Sequence, residues 1–186
     1  EIRSGGTPST AQPDFWNGEI LWCTPTDITS LKGGKYLENS ERSITVDGLK
    51  SSSAEIIPER SVVMTTRATI GECAINTRAV TTNQGFKSLT PHVADAVTEF
   101  LYYLLLMQKS RLVSLCGGST FLEISKAQVA AFKVVLPDSI TEQTEIAELL
   151  SDMDTEITAL ESKLAKARLI KQGMMQELLT GRIRLV

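Results

Sequence analysis

The 186-residue sequence holds one histidine, His92, and only three cysteines, Cys23, Cys73 and Cys116. With no CxxC pair and no second histidine there is no zinc-ligand spacing, and an odd set of widely separated thiols makes no disulfide framework. Free thiols, together with the lack of a secretory leader in the opening residues, point to a reducing, cytoplasmic compartment. No apolar run approaches the roughly 18 residues of a membrane span. The greasiest stretch, residues 100 to 107, reads as a buried helix. A basic excess is missing too. Lys and Arg number 19 against 22 Asp and Glu, a net charge of −3, so any nucleic-acid contact has to rest on a local patch.

Catalytic signatures are equally sparse. The stretch "GGSTFLEISK" (residues 117 to 126) has two glycines, two hydroxyls and a lysine, but not the GxxxxGK[ST] spacing of a nucleotide cradle. "TTNQGF" carries the first and last residues of the [DNS]PP[YFW] grip of an amino-methyltransferase, Asn83 and Phe86, without the prolines. No Glu-x-Lys suited to a nuclease cluster follows Pro137-Asp138, and one histidine offers no visible triad. Neither a cofactor nor a metal is expected.

What is present divides at Pro137-Asp138. Before it, turn signals ("SGGTPS", "FWNG", "LKGG", "VDG") separate short β-branched runs at residues 61 to 66, 69 to 75 and 132 to 136, with one clear helix from about Ala94 carrying Val97, Leu101, Leu104 and Leu105. This predicts an α+β head over residues 1 to 138. After it, no proline occurs and no glycine before Gly173, which predicts one long helix over 139 to 180, started by Thr141, Glu142 and Glu145, stopped at Gly181, and followed by a tail over 181 to 186.

Within that helix a seam steps by alternate fours and threes through Ile146, Leu150, Met153, Ile157, Leu160, Leu164, Ala167, Lys171, Met174 and Leu178, apolar at nine of ten positions. Sustained over more than four heptads, this is a coiled-coil pattern. Charge predicts how two such helices pack. Residues 139 to 162 sum to −7 and residues 163 to 186 to +5, so antiparallel pairing sets acid beside base and parallel pairing sets like beside like. The helix dipole accounts for acids at the start and bases at the end, but not for acids reaching Glu161.

In "VVLPDSITEQTEIAELLSDMDTEI" the residues Leu136, Pro137, Glu142, Gln143, Ile146, Ala147, Asp154 and Ile157 resemble a pattern of the specificity subunits of type I restriction-modification systems, and "KQGMMQELLTGRIRL" resembles that family's helix terminus. "SGGTPS", "ILWCTPTDI", "TTRATIGECAI", "TTNQGF" and "GGSTFLEIS" match more loosely, so the likeness runs along the whole chain. Such subunits usually hold two target-recognition domains, each followed by a helix, the helices pairing antiparallel as a spacer. One copy of each is present here, so the chain resembles a half-subunit or a fragment, and its abrupt opening leads us to expect residues upstream.

The resemblance implies a non-catalytic subunit that reads one half of a bipartite target in double-stranded DNA. It directs a methyltransferase (modification) subunit and works with a restriction/translocase subunit, and two copies or two halves pair through the long helix as a homodimer or its equivalent. The competing reading is a coiled-coil scaffold whose head binds another protein. For DNA contact the candidate side chains are Thr24, Thr26, Asp27, Lys32 and Lys35 in the first loop, and Thr66, Arg67, Thr82, Asn83, Gln84 and Lys87 between residues 61 and 90. Ser119, Thr120 and Lys126 of "GGSTFLEISK" complete the set. These types reach phosphates and base edges, Arg to guanine and Asn or Gln to adenine. Thr66 serves equally as a strand residue, Asn83-Gln84-Gly85 as a turn, and Trp16 and Trp22 as core rather than stacking platforms.

Overall fold

The computed structural model describes residues 1–116 and 122–185. The chain runs β1 (Ile2–Ser4), β2 (Trp16–Cys23), α1 (Pro25–Ser30), β3 (Tyr36–Leu37), β4 (Arg42–Ile44), α2 (Val46–Lys50), β5 (Val62–Thr65), β6 (Cys73–Asn76), β7 (Thr81–Thr82), β8 (Phe86–Leu89), α3 (Thr98–Met107), α4 (Lys109–Ser114), α5 (Lys126–Ala131) and α6 (Ile140–Leu179). The expected α+β class with a long C-terminal helix is what is found. The strands form a five-stranded sheet in order β1-β8-β5-β6-β3 and a three-stranded sheet in order β4-β2-β7.

Strand β5 is the middle of the larger sheet, and its residues Val62 to Thr65 are all buried, as a continuous apolar run covered on both faces should be. Its two faces divide the core. Val62 and Met64 join Ile75 and Cys73 under Tyr102 and Leu105 of α3, Leu112 of α4 and Val129 of α5. Val63 joins Ala74 and Phe86 against Cys23, Ile28, Leu37, Ile57 and Val80. A third cluster holds the tryptophans. Trp16 and Trp22 meet edge to face at 5.0 Å, the Arg42 guanidinium lies 3.8 Å from the Trp16 ring centre, and the Trp22 indole N–H donates to the Gly6 carbonyl at 2.8 Å. Both rings belong to the core, and such a pair adds about 0.5–1.5 kcal/mol beyond its buried area.

Several boundaries move for identifiable reasons. The helix expected from Ala94 begins at Thr98, because Val97 is extended (φ −82°, ψ 133°) and its N–H donates to the Gln143 side chain at 3.0 Å. Residues 69 to 75 pair only from Cys73 onward; the Thr65 hydroxyl donates to the Thr69 carbonyl and holds the preceding residues in a turn. Residues 132 to 136 are not a strand. Phe132, Val134 and Leu136 are half-buried while Lys133 and Val135 are exposed, a two-residue alternation that marks a covered face without a neighbouring strand to pair with. The long helix starts at Ile140 rather than Thr141, the Ser139 hydroxyl accepting from the Glu142 N–H at 3.3 Å. It stops as expected. Gly181 adopts φ +73°, its N–H donates to the Leu178 carbonyl at 3.2 Å, and the Arg182 N–H reaches the Glu177 carbonyl at 3.0 Å, a left-handed glycine cap.

The chain divides into two compact units, Glu1–Thr144 and Glu145–Val186. In the second, Ile146, Leu150 and Leu178 are half-buried, whereas Met153, Ile157, Leu160, Leu164 and Met174 are between 46% and 54% exposed. At 1.5 Å per residue the 40-residue helix is about 60 Å long. Among the described residues no helix is long and apolar enough to cross a membrane.

Candidate nucleic-acid interface

Five of the stretches singled out by sequence meet at one end of β5. Gly5 is where "SGGTPS" crosses the β7 loop: a Cβ there would collide with the Asn83 carbonyl oxygen and the Thr82 hydroxyl, so only glycine fits. The Gly6 N–H donates to the Thr82 carbonyl at 2.9 Å, and the Thr7 hydroxyl donates to the Gln84 side-chain oxygen at 2.6 Å. "CTPTD" joins the same loop through the Asn83 N–H, which donates to the Cys23 carbonyl at 3.1 Å. "TTRAT" joins through the Thr66 N–H, 2.7 Å from the Gly85 carbonyl. The "LEISK" segment, residues 122 to 126, closes the group. The Ile124 N–H donates to the Thr66 carbonyl at 3.1 Å, and the Arg67 guanidinium pairs with the Glu123 carboxylate at 2.9 Å.

On this surface Thr7, Thr26, Gln84 and Lys126 are exposed, and Arg67 and Asn83 are half-exposed. Asn83 Oδ1 accepts from the Gly85 N–H at 2.9 Å, so the turn it forms and the amide it presents belong to one residue. Lys126 opens α5 behind Ser125, which accepts from the Gln128 N–H at 3.2 Å. Lys87 lies within the field of Arg67, Lys126 and Glu123. Desolvation holds its ammonium below the usual lysine range, Glu123 opposing and the two cations adding to the shift.

Other candidates do not reach this surface. The Asp27 carboxylate is buried, accepting from the N–H and the hydroxyl of Thr24 at 2.7 and 2.8 Å and from the Glu41 N–H at 2.8 Å; it caps α1 and ties down the β4 approach. Thr24 is spent on the same cap. Thr66 is buried with its hydroxyl on the Gly85 carbonyl at 3.1 Å, and the buried Thr82 hydroxyl faces Gly5. Asp27, Thr66 and Thr82 thus build the loops instead of presenting contacts. Lys32 and Lys35 sit elsewhere: the Lys35 carbonyl accepts from Ile75, which is opposite Val62, five residues and roughly 15 Å of extended chain from Arg67. The Lys35 ammonium donates to the Tyr103 hydroxyl at 3.0 Å. Ser119 and Thr120 lie outside the described residues. Thr7 and Glu123 join this surface without being singled out by the sequence pattern. Both fall in stretches already quoted, but a single Thr or Glu in a loop has no spacing that marks it.

No group of His, Cys, Asp and Glu suited to a metal occurs among the described residues. Burial pushes the Cys23 thiol up to about 12, with the Asp27 charge adding to it. Cys73 is raised in the same way, chiefly by burial, so neither thiol is a nucleophile.

Residues 1–167 match the family described as type I restriction modification DNA specificity domain, and the chain belongs to that family. More particularly, it is 37% identical over 156 residues to the specificity subunit of the type I restriction enzyme MjaIX of Methanocaldococcus jannaschii, covering 83% of this chain and 35% of that one. It is 31% identical over 159 residues to the EcoR124I/EcoR124II specificity subunit of Escherichia coli, covering 81% and 38%. The chain thus spans little more than a third of these relatives. The fold matches a chain solved in a study of complex assembly and conformational transition in a type I R-M system, with a TM-score of 0.72 at 19% identity over 95% of this chain and 42% of that one. HsdS from Thermoanaerobacter tengcongensis gives 0.61 at 17% identity over 95% and 41%.

Proposed function

We propose that this chain is a recognition half of a type I restriction-modification specificity subunit: its head reads one half of a bipartite site in double-stranded DNA and, without catalysing a reaction itself, places a partner methyltransferase on it. One observation carries the reading. "SGGTPS", "CTPTD", "TTRAT", "TTNQG" and "LEISK", distant in sequence, are hydrogen-bonded or ion-paired into one surface that presents Thr7, Thr26, Arg67, Asn83, Gln84 and Lys126. Exposed amides and a guanidinium suit base edges, and Lys126 suits a phosphate. The restriction/translocase subunit joins the same assembly. The long helix is the spacer, pairing antiparallel with a second copy or a second half through Met153, Ile157, Leu160, Leu164 and Met174, seam residues that are each about half exposed.

The test is a selection. The chain, mixed with a modification subunit, is incubated with a randomised duplex library, and the retained sequences are read at several salt concentrations. A recurring half-site whose affinity falls steeply with salt is the expected result. Retention without sequence preference, or none at all, contradicts the reading.

A further inference from the structure

We propose that Glu123 decides what Arg67 reads: by pairing with one side of the guanidinium it converts Arg67 from a phosphate contact into a reader of a guanine edge. The inference rests on the head being a DNA-recognition domain, and goes beyond it by assigning a role to a carboxylate on a surface meant for a polyanion.

The pair is built in. Arg67 and Glu123 face each other as an isolated antiparallel bridge, the Ile124 N–H donates to the Thr66 carbonyl at 3.1 Å, and Nη2 of Arg67 lies 2.9 Å from Oε1 of Glu123. The carboxylate is thus held beside the guanidinium by backbone pairing on the same two residues. The pair is not sealed off, because the two side chains are 37% and 38% exposed. Of the guanidinium nitrogens, Nε is enclosed without a hydrogen-bond partner and Nη2 makes the ion pair with Glu123. With Nε enclosed, the half-exposed Nη1–Nη2 end is the part of the guanidinium open to a ligand, and such an end-on fork matches guanine N7 and O6.

Charge then selects between ligands. A phosphate approaching Arg67 meets a carboxylate as well as a guanidinium, so attraction and repulsion largely cancel. A guanine edge carries no net charge and loses little to the carboxylate. Lys126, exposed and without an ion pair among the described residues, keeps its full attraction for the backbone. The surface therefore holds a repulsive element against binding in any register, one of the two routes to specificity.

The experiment compares wild type, E123Q, E123A and R67K, each assembled with the modification subunit, on the selected duplex and a scrambled one between 50 and 200 mM salt. For E123Q and E123A, the scrambled duplex is expected to bind more tightly, and the slope of log affinity against log salt to steepen by about 0.9, the increment of one added phosphate contact. Preference at one guanine position should fall by about 5- to 150-fold. R67K, which keeps the charge and loses the fork, should lose the same guanine preference, and adding E123Q to it should cost no further preference. Unchanged slope and preference in both Glu123 variants, or equal weakening on both duplexes, overturns the role of Glu123 while leaving DNA recognition standing. A wild-type complex with no preference between the duplexes overturns both.

Discussion

Lys87 is only 6% exposed on the central sheet, its ammonium donating to the Phe86 carbonyl at 3.1 Å. Its folded-state pKa lies below the unfolded value, chiefly through desolvation, so the unfolded chain binds more protons as the pH climbs toward 10.5. The cost of burying the charge is then fully present at neutral pH and fades in that alkaline window. Lys87→Met should raise the midpoint of thermal unfolding at pH 7, with the advantage shrinking as the pH approaches 10.5; a variant less stable than wild type at pH 7 contradicts this. The neighbouring cations separate by role. Arg67→Ala is expected to cost about 1–3 kcal/mol on the selected half-site and far less on scrambled DNA, whereas Lys126→Ala should weaken both alike and reduce the salt slope by about 1. Fluorescence anisotropy on the two duplexes reads both effects. Short polar side chains were the hardest to assign from sequence. Asp27 and Thr66 stand in the right loops, but an Asp or Thr beside a turn caps backbone groups as readily as it meets DNA, and only the hydrogen-bond partners distinguish the two.

Elements were more legible than single residues, because periodicity is written over many positions. The long helix, its glycine stop and the buried β5 run all follow from pattern, while the strand expected at residues 132 to 136 does not form, since alternation cannot report whether a partner strand exists. Gln143 shows what pattern conceals. It sits in the "TEQTEI" motif, is 1% exposed, accepts from the Val97 N–H that opens α3, and donates to the carbonyls of Pro137 and Asp95 at 2.9 and 3.2 Å. Gln143→Ala should therefore cost about 1–3 kcal/mol through unsatisfied buried groups, measurable by urea unfolding, and a loss well below about 1 kcal/mol contradicts its capping role. Along α6, Leu160→Asp with Leu164→Asp should turn a paired species into monomers by light scattering while the head stays folded, because each buried Leu is worth about 1.5–3 kcal/mol. Wild type already monomeric at tens of micromolar would mean that the partner helix belongs to a longer chain.

For the molecule as a whole, the −7 and +5 halves of the helical segment and the antiparallel pairing proposed for it bear on how a target would be laid out. Two identical heads related by a two-fold axis read an inverted repeat, with a gap set by the length of the paired helices. The chain spans 35% and 38% of the length of two of its relatives. The most direct measurement is methylation of a library of gapped sites by the chain, a modification subunit and S-adenosylmethionine, with and without one heptad inserted after Leu160. The expected result is methylation only in the mixture, at inverted half-sites, with a gap that widens on insertion while the half-sites stay the same. Methylation by this chain alone, or by the mixture without regard to sequence, would contradict the account.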